Sequence, residues 1–393
     1  MNSYILPTYN RVKLSFHKGK GSYLITKKGK KYLDFTSGIA VTSLGHSNND
    51  LIKVLYHQSK KLWHCSNAYE ILEQEKLAKK LVNLTFADFV FFCNSGAEAV
   101  EAAIKIARAY YQIKKKKNKY KIITIKGSFH GRTLATIAAS GQEKLLNGFK
   151  PVVEGFTPVL FGDHQAIEKA IDNKTAGIMV EPILGESGIK KIPIECLEGL
   201  RKICNKKKIL LIFDEVQCGI GRTGKLFNYQ WSKIKPDILA TAKGLGGGFP
   251  IGACLVTKQI AQGINFGSHG STFGGNPLAC AVANVVLDII SKKKFLKELN
   301  SKASFLYNEL EKIKKENLNI IEEIRGQGFL LGIKCNINNS ILIKALRTNG
   351  LLVISASENV IRLLPPLNIN KKEIIEAIKI LKQTFKKLSL GKK

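Results

Sequence analysis

Between about residues 70 and 285, short runs that are apolar at nearly every position alternate with stretches that are apolar every three or four residues. The runs are Phe89-Val90-Phe91-Phe92, Ile122-Ile123-Thr124-Ile125, Gly177-Ile178-Met179-Val180, Leu210-Leu211-Ile212-Phe213 and Ile238-Leu239-Ala240. Val100, Ala103, Ile104 and Ala107 form the stripe of a helix that follows the first run. A strand covered on both faces has no polar side, so this alternation predicts an α/β arrangement: a mostly parallel sheet with helices on both faces. Residues 20–46 read as short strands with a turn at Lys28-Gly29-Lys30, the last ending in Gly38-Ile39-Ala40-Val41. After roughly residue 290 the pattern becomes α+β, with lysine-rich amphipathic helices around short strands such as Phe329-Leu330-Leu331-Gly332-Ile333. The last helix carries Ile374, Ile375, Ile378, Leu381, Phe385 and Leu388 on one side, and Asn370 followed by Glu373 is placed to cap it.

At 393 residues the chain exceeds the usual size of a single core, so two packed domains are expected. A formal charge of +32 would ordinarily suggest nucleic acid or an anionic surface. Here the lysines are dispersed, the runs Lys114–Lys117 and Lys206–Lys208 lack interleaved aromatics, and neither nucleic acid nor membrane is the expected partner. The 8 cysteines form no C-x-x-C pair and most sit in apolar segments, which predicts reduced, packed thiols in a cytoplasmic setting. No metal-ligand spacing is apparent among the histidines. The segment Met1–Pro7 lacks the apolar stretch of a signal peptide.

Chemistry concentrates where the strands end. Asp214 closes Leu210–Phe213, and Lys243 follows Ile238–Ala240 in the small-residue segment Thr241-Ala242-Lys243-Gly244-Leu245-Gly246-Gly247-Gly248. A lysine that merely follows a strand would look the same in isolation. Together the pair fits pyridoxal 5'-phosphate, whose aldehyde takes a lysine amine and whose ring nitrogen needs a carboxylate. Asn94-Ser95-Gly96-Ala97-Glu98 joins a strand to a helix N-terminus, a place for a phosphate as well as a tight turn. Gly127-Ser128-Phe129-His130-Gly131-Arg132-Thr133 offers an aromatic face and an arginine fork, in a chain with only 8 arginines among 62 basic residues. Val180–Gly188, Asp214–Gly224, Gly270–Pro277 and Ile361–Pro366 complete six segments, most of them at strand ends.

These segments, in this order, resemble the class-III, fold-type-I PLP-dependent aminotransferases, and most closely their acetylornithine branch. The likeness runs from Leu6-Pro7-Thr8-Tyr9 through Leu44-Gly45-His46 to Arg362-Leu363-Leu364-Pro365-Pro366. It implies the PLP-dependent transferase fold: a large domain over 51–288 and a small α+β domain from both chain ends, 1–50 and 289–393. It also implies a homodimer with shared active sites. By resemblance Lys243 is the Schiff-base lysine and proton shuttle, and Asp214 the ring-nitrogen partner. Val216 and Phe129 take the two ring faces, Gln217 the ring hydroxyl, and Ser95, Gly96 and Ala97 the phosphate. Thr272 reaches the phosphate of the neighbouring subunit. Tyr9, Arg132, Glu186, Ser271 and Arg362 are implied to bind substrate, with Arg132 on the distal carboxylate.

Glu186 and Arg362 resemble a switch pair: the glutamate neutralises the arginine while a terminal amine reacts, and the α-carboxylate of 2-oxoglutarate then takes its place. The implied reaction moves the δ-amine of N2-acetylornithine to 2-oxoglutarate, giving N-acetylglutamate 5-semialdehyde and glutamate in arginine biosynthesis. Ornithine, succinylornithine, acetyl-lysine and γ-aminobutyrate remain alternative donors. The chain departs from the family at Leu184, where glutamine is common, and at Asn48-Asn49. Ile39 stands where ornithine aminotransferases carry a tyrosine.

Overall fold

A computed structural model of the chain describes residues 4–116, 118–162 and 164–390; Lys117 of the first lysine run and residues 1–3 of the N-terminal segment lie outside them. Strands β1 (Lys18–Lys20), β2 (Tyr23–Ile25) and β3 (Lys31–Asp34) form an antiparallel meander, with the expected turn at 26–30. Leu351–Leu352 pairs with β3 in parallel, so the two ends of the chain meet in one sheet.

The apolar runs all become strands of a second, seven-stranded sheet. In chain order these are β4 (Phe89–Cys93), β5 (Lys121–Ile125), β6 (Phe156–Val159), β7 (Thr175–Val180), β8 (Leu210–Asp214), β9 (Ile238–Thr241) and β10 (Gly252–Val256). Their order across the sheet is β4-β10-β9-β8-β7-β5-β6, and only β10 runs antiparallel to its neighbours. Alternate residues feed two cores. Leu210 and Ile212 of β8 join Val100, Ala103 and Ala107 on one face, while Leu211 and Phe213 join Ile178, Val180 and Leu239 on the other. Helix α3 (Gly96–Ile113) covers the first face; α1 (Asn49–Ser59), α2 (Leu72–Leu84), α5 (Ile194–Lys207) and α6 (Pro277–Ile290) pack on the other side, and the short α4 (Leu134–Ser140) follows β5. Burying a side chain such as Phe213 contributes roughly 1.5–3 kcal/mol, which is why these strands tolerate almost no polar residue.

The C-terminal part adds α7 (Lys293–Glu316), the antiparallel sheet β11 (Ile321–Gln327), β12 (Leu330–Cys335), β14 (Val360–Leu363) and β13 (Ile354–Ala356), and helices α8 (Asn339–Thr348) and α9 (Lys371–Leu390). The α9 cap forms as its sequence predicts: Glu373 N donates to Asn370 Oδ1 at 2.9 Å and Asn370 N to Glu373 Oε2 at 2.9 Å. All eight cysteines are free thiols. Asn48, one of the departures from the family, caps α1 through Oδ1, which accepts from Asp50 N at 3.0 Å.

One expected strand end is a different structure. Ser37, Gly38, Ile39 and Ala40 form a left-handed turn, with φ of 46°, 62°, 66° and 63°. Each non-glycine residue in that region costs roughly 1–2 kcal/mol. The cause is Asp34, whose Oδ1 accepts from Thr36 N (2.9 Å), Thr36 Oγ1 (2.6 Å) and Ser37 N (3.1 Å), curling the chain around the carboxylate. His46 Nε2 lies 2.8 Å from the other oxygen. The turn is then pinned on both sides, Ser37 Oγ donating to Leu364 O at 2.7 Å and Ser43 Oγ to Gly244 O at 2.9 Å. It therefore bridges the loop of Lys243 and the strand of Arg362.

Candidate active site

Neighbouring parallel strands β9, β8, β7 and β5 deliver their carboxyl ends to one crevice, the usual ligand position in such a sheet. The cavity there, about 250 Å³, is lined by Gly96, Ala97, Phe129, His130, Gly131, Arg132, Glu181, Asp214, Val216, Gln217 and Lys243. Eight of these carry a role in the sequence-based expectation, and residues from Gly96 to Lys243 thus share one small space.

Lys243 opens the short helical turn after β9 and has a left-handed φ of 43°, a strained backbone of the kind found at functional sites. Burial, with Arg362 adding to it, lowers its proton affinity below that of an ordinary lysine, against the pull of Glu186, Asp214 and Glu181. A less basic amine is more often neutral and nucleophilic. Asp214 is held on both oxygens: Oδ1 accepts from Val216 N at 3.0 Å and Oδ2 lies 2.8 Å from His130 Nδ1. Burial opposes a charge on His130, but the hydrogen bond and charge of Asp214, helped by Glu181, raise its pKa above the usual value. Its Nε2 has no partner among the described residues.

Helix α3 starts at the cavity. Ser95 caps it, accepting from Glu98 N at 3.2 Å, while the Glu98 carboxylate accepts from Asn94 N at 3.0 Å. The amides of Gly96 and Ala97 remain free, among the described residues, to meet an anion, with the helix dipole behind them. Only glycine fits at 96, since a Cβ there would come within 2.6 Å of Val216 Cγ1. Gly131 has φ of 136°, and a Cβ would press on Ala97 at 2.8 Å. An anion cradle, an aromatic face, a ring-side carboxylate and a buried amine suit one flat, phosphorylated aldehyde, and pyridoxal 5'-phosphate fits this donor set.

Arg362, on β14, is 1% exposed. Its Nη1 donates to Glu186 Oε1 at 2.6 Å and Gln217 Oε1 at 2.9 Å, and Nη2 to Ser355 O at 3.3 Å. Gln217 lines the inner cavity; Glu186 lines an outer cleft of about 630 Å³ with Lys144, Asn338 and Ser355. Arg362 therefore stands at the wall between them. Arg132 is exposed, has no carboxylate partner among the described residues, and lies 5.5 Å from the ring centre of Phe129. A buried arginine of another kind, Arg222, meets the backbone carbonyls of Phe329 and Pro365, at 3.2 and 2.5 Å.

Six predicted residues are absent from the lining of the inner cavity: Ser95 at the cap of α3, Glu186 and Arg362 at the wall, and Tyr9, Thr272 and Ser271. Tyr9 and Thr272 are exposed, and Ser271 Oγ accepts from Asn94 Nδ2 at 3.2 Å, beside the start of α3. Three cavity residues, His130, Gly131 and Glu181, have no role in the sequence-based expectation, although all lie inside segments that it picks out. Glu181 is a fully enclosed acid at a strand end, accepting from Phe129 N at 2.8 Å and Gly185 N at 3.2 Å. Its signal is a carboxylate directly after a fully apolar strand, the same pattern that exposes Asp214.

The family model for class-III aminotransferases matches residues 4–385. An acetylornithine aminotransferase of Mesorhizobium japonicum is 53% identical over 96% of this chain and 94% of its own length. One from Brucella melitensis is 51% identical over 98% and 95%. Among solved structures, the ornithine aminotransferase of Toxoplasma gondii superposes with a TM-score of 0.95 at 31% identity, covering 99% of this chain and 94% of that one. The N-acetylornithine aminotransferase of Stenotrophomonas maltophilia gives 0.85 at 33% identity, with 98% of each covered.

Proposed function

The chain belongs to the class-III aminotransferases, and from that premise we propose that it transfers the δ-amine of N2-acetylornithine to 2-oxoglutarate, a step of arginine biosynthesis. The observation that carries this reading is the Arg362–Glu186 pair at 2.6 Å on the wall of the lysine cavity. A site that must take an amine with no neighbouring carboxylate and then an α-keto acid needs an arginine that can be neutralised and released.

Pyridoxal 5'-phosphate, the cofactor of this family, supplies an electron-withdrawing ring that stabilises negative charge at the amine-bearing carbon. Lys243 would hold it by its amine, and its side chain would serve as the general acid and base that moves the proton. Asp214, oriented by Val216 N and His130, accepts from the ring nitrogen. Val216 and Phe129 would pack on its ring, Gln217 would bond its hydroxyl, and Ser95, Gly96 and Ala97 would hold its phosphate. Arg132, free of any carboxylate among the described residues, takes the distal carboxylate of the donor.

Tyr9, Ser271 and Thr272 act in a homodimer, where Thr272 meets the phosphate in the partner's site. For Ser271 and Thr272 this is supported by their place beside the exposed Phe273 and against the segment that carries the exposed Trp63 and Tyr69. We keep the division into a large domain (51–288) and a small one (1–50 with 289–393), and a cytoplasmic location. No helix among the described residues is long and apolar enough to cross a membrane.

A second reading, transfer from unacylated ornithine, draws on the likeness to the Toxoplasma enzyme. Ile39 weighs against it, because an apolar residue packed against the buried cluster of Ala40, Ile183, Val360 and Leu364 offers nothing to a free α-ammonium group. The test is glutamate formation by purified protein with pyridoxal 5'-phosphate, 2-oxoglutarate and each donor in turn. N2-acetylornithine is expected to give the highest kcat/KM; equal or faster turnover of ornithine or γ-aminobutyrate overturns the assignment.

A further inference from the structure

Two segments that reach the cavity from different strands are tied to one buried carboxylate. Glu181, directly after β7, is 4% exposed. Its Oε1 accepts from Phe129 N at 2.8 Å, in the segment after β5, and its Oε2 from Gly185 N at 3.2 Å, in the turn that carries Glu186. Ser187 Oγ also donates to Gly127 O, a second tie between the same segments. Phe129 presents its ring to the cavity, and Glu186 meets Arg362 at the cavity wall.

We propose that Glu181 is a positioning residue that couples the seating of Phe129 to the Glu186–Arg362 pair, and that it does so only as a carboxylate. The proposal rests on the reading of this site as that of a PLP-dependent aminotransferase. An ionised carboxylate accepts strongly at both oxygens, whereas its acid form carries a proton on one of them, which then accepts far more weakly. One link is then weakened, and either the aromatic ring or the switch turn is loosened.

The groups that face Glu181 are Asp214 and His130, with Lys243 further round the cavity and the buried Cys218 thiol behind it within reach of the Glu181 charge. Burial, then the charge of Asp214, pushes its pKa up to about 7, against His130 and the two amide donors. Ionisation is thus the costly state. The folded pKa lies above the ordinary glutamate value, so the unfolded chain gives up its proton first. Stability falls as pH rises from the ordinary carboxylate range to about 7, and the loss persists above.

The decisive measurement is visible circular dichroism of the holoenzyme, which reports how the ring is seated. In the unmodified protein the band is expected to change with a midpoint near pH 7, together with an acid limb in kcat/KM for both half-reactions. Glu181→Gln should abolish that transition and lower kcat in both half-reactions by on the order of 10- to 100-fold, the usual cost of misplaced groups. Glu181→Asp, which keeps the charge but not the reach, should keep a transition and lose the band intensity. The wild-type decline in Tm between pH 5 and 8 should be shallower in Glu181→Gln. A wild-type band that is flat from pH 5.5 to 8.5, or a Gln variant with wild-type dichroism and turnover, overturns the proposal. A wild-type protein with no visible band under any condition overturns the cofactor reading itself, and the proposal with it.

Discussion

At the floor of the cavity, Asp214, His130 and Glu181 are 3%, 2% and 4% exposed and each finds a partner within the chain. Tyr9 is 73% exposed; at the rim, beside the start of α3, Thr272 is exposed as well. The segment that carries Trp63 (66% exposed) and Tyr69 (72%) lies against the one that carries Thr272 and Phe273 (60%). His64 meets the Phe273 ring at 5.2 Å, and Asn67 Nδ2 donates to Ser271 O at 3.0 Å and Gly274 O at 3.1 Å. Large apolar groups gathered in this way are the mark of a surface that is covered in use. The floor is finished by one chain folding; the rim is consistent with a site completed by the proposed second copy.

The comparison can be broken at either end. Removing the floor's nucleophile should have the largest effect: Lys243→Ala is expected to lower glutamate formation by at least about 10³-fold with unchanged far-ultraviolet dichroism. At the rim, Phe273→Asp should convert a two-chain sedimentation mass into a one-chain mass and lower turnover by about 100-fold, since a central aromatic commonly carries ~2–4 kcal/mol of an interface. A variant that remains two chains at micromolar concentration would show that the rim is not the contact. Glu186→Gln tests the wall between floor and outer cleft. It should cost about 30-fold in kcat/KM for the terminal-amine donor, ~2 kcal/mol, while the keto-acid acceptor saturates the enzyme at the same concentration or a lower one.

A smaller effect is expected of Thr272→Ala, one hydrogen bond to a charged phosphate, which should raise the dissociation constant of the cofactor about tenfold by equilibrium dialysis. The smallest concerns the strained turn. Burial pushes the pKa of Asp34 up, but hydrogen bonds from His46 and Thr36 outweigh it and hold it below the ordinary value. Its contribution is therefore present above the ordinary carboxylate range and lost as pH falls through the folded value. Asp34→Asn should cost about 1–2 kcal/mol at neutral pH, and the deficit should shrink in acid; a deficit that does not change with pH would show that the charge is not what holds the turn.

Legibility followed burial. The strands at 89–93, 121–125, 175–180, 210–214 and 238–241 are readable because a strand covered on both faces is apolar at nearly every position; the strand at 252–256 is as apolar and as buried, yet it is not among the runs read from the sequence. Asp214 and Lys243 stand out for the same reason, as polar residues where apolar runs stop. The turn at 37–40 reads as a strand end because the deciding interaction is a side chain. Asp34 captures local amides, and alternating hydrophobicity carries no trace of that. Asn370 and Glu373 show the converse, a local capture that does have a fixed spacing and is readable.

By itself, then, the order of residues determined which segments are strands and helices, and which polar residues stop the strands, since those follow from short-range periodicity. Only the tertiary structure decided that Glu181 would hold Phe129 and Gly185 together, that Gln217 would share Arg362 with Glu186, and that Tyr9 and Thr272 would face outward. These depend on which strand lies beside which, and on where water is excluded. Pairwise distance and dielectric surroundings arise from packing across the whole sheet, so no local stretch of sequence contains them.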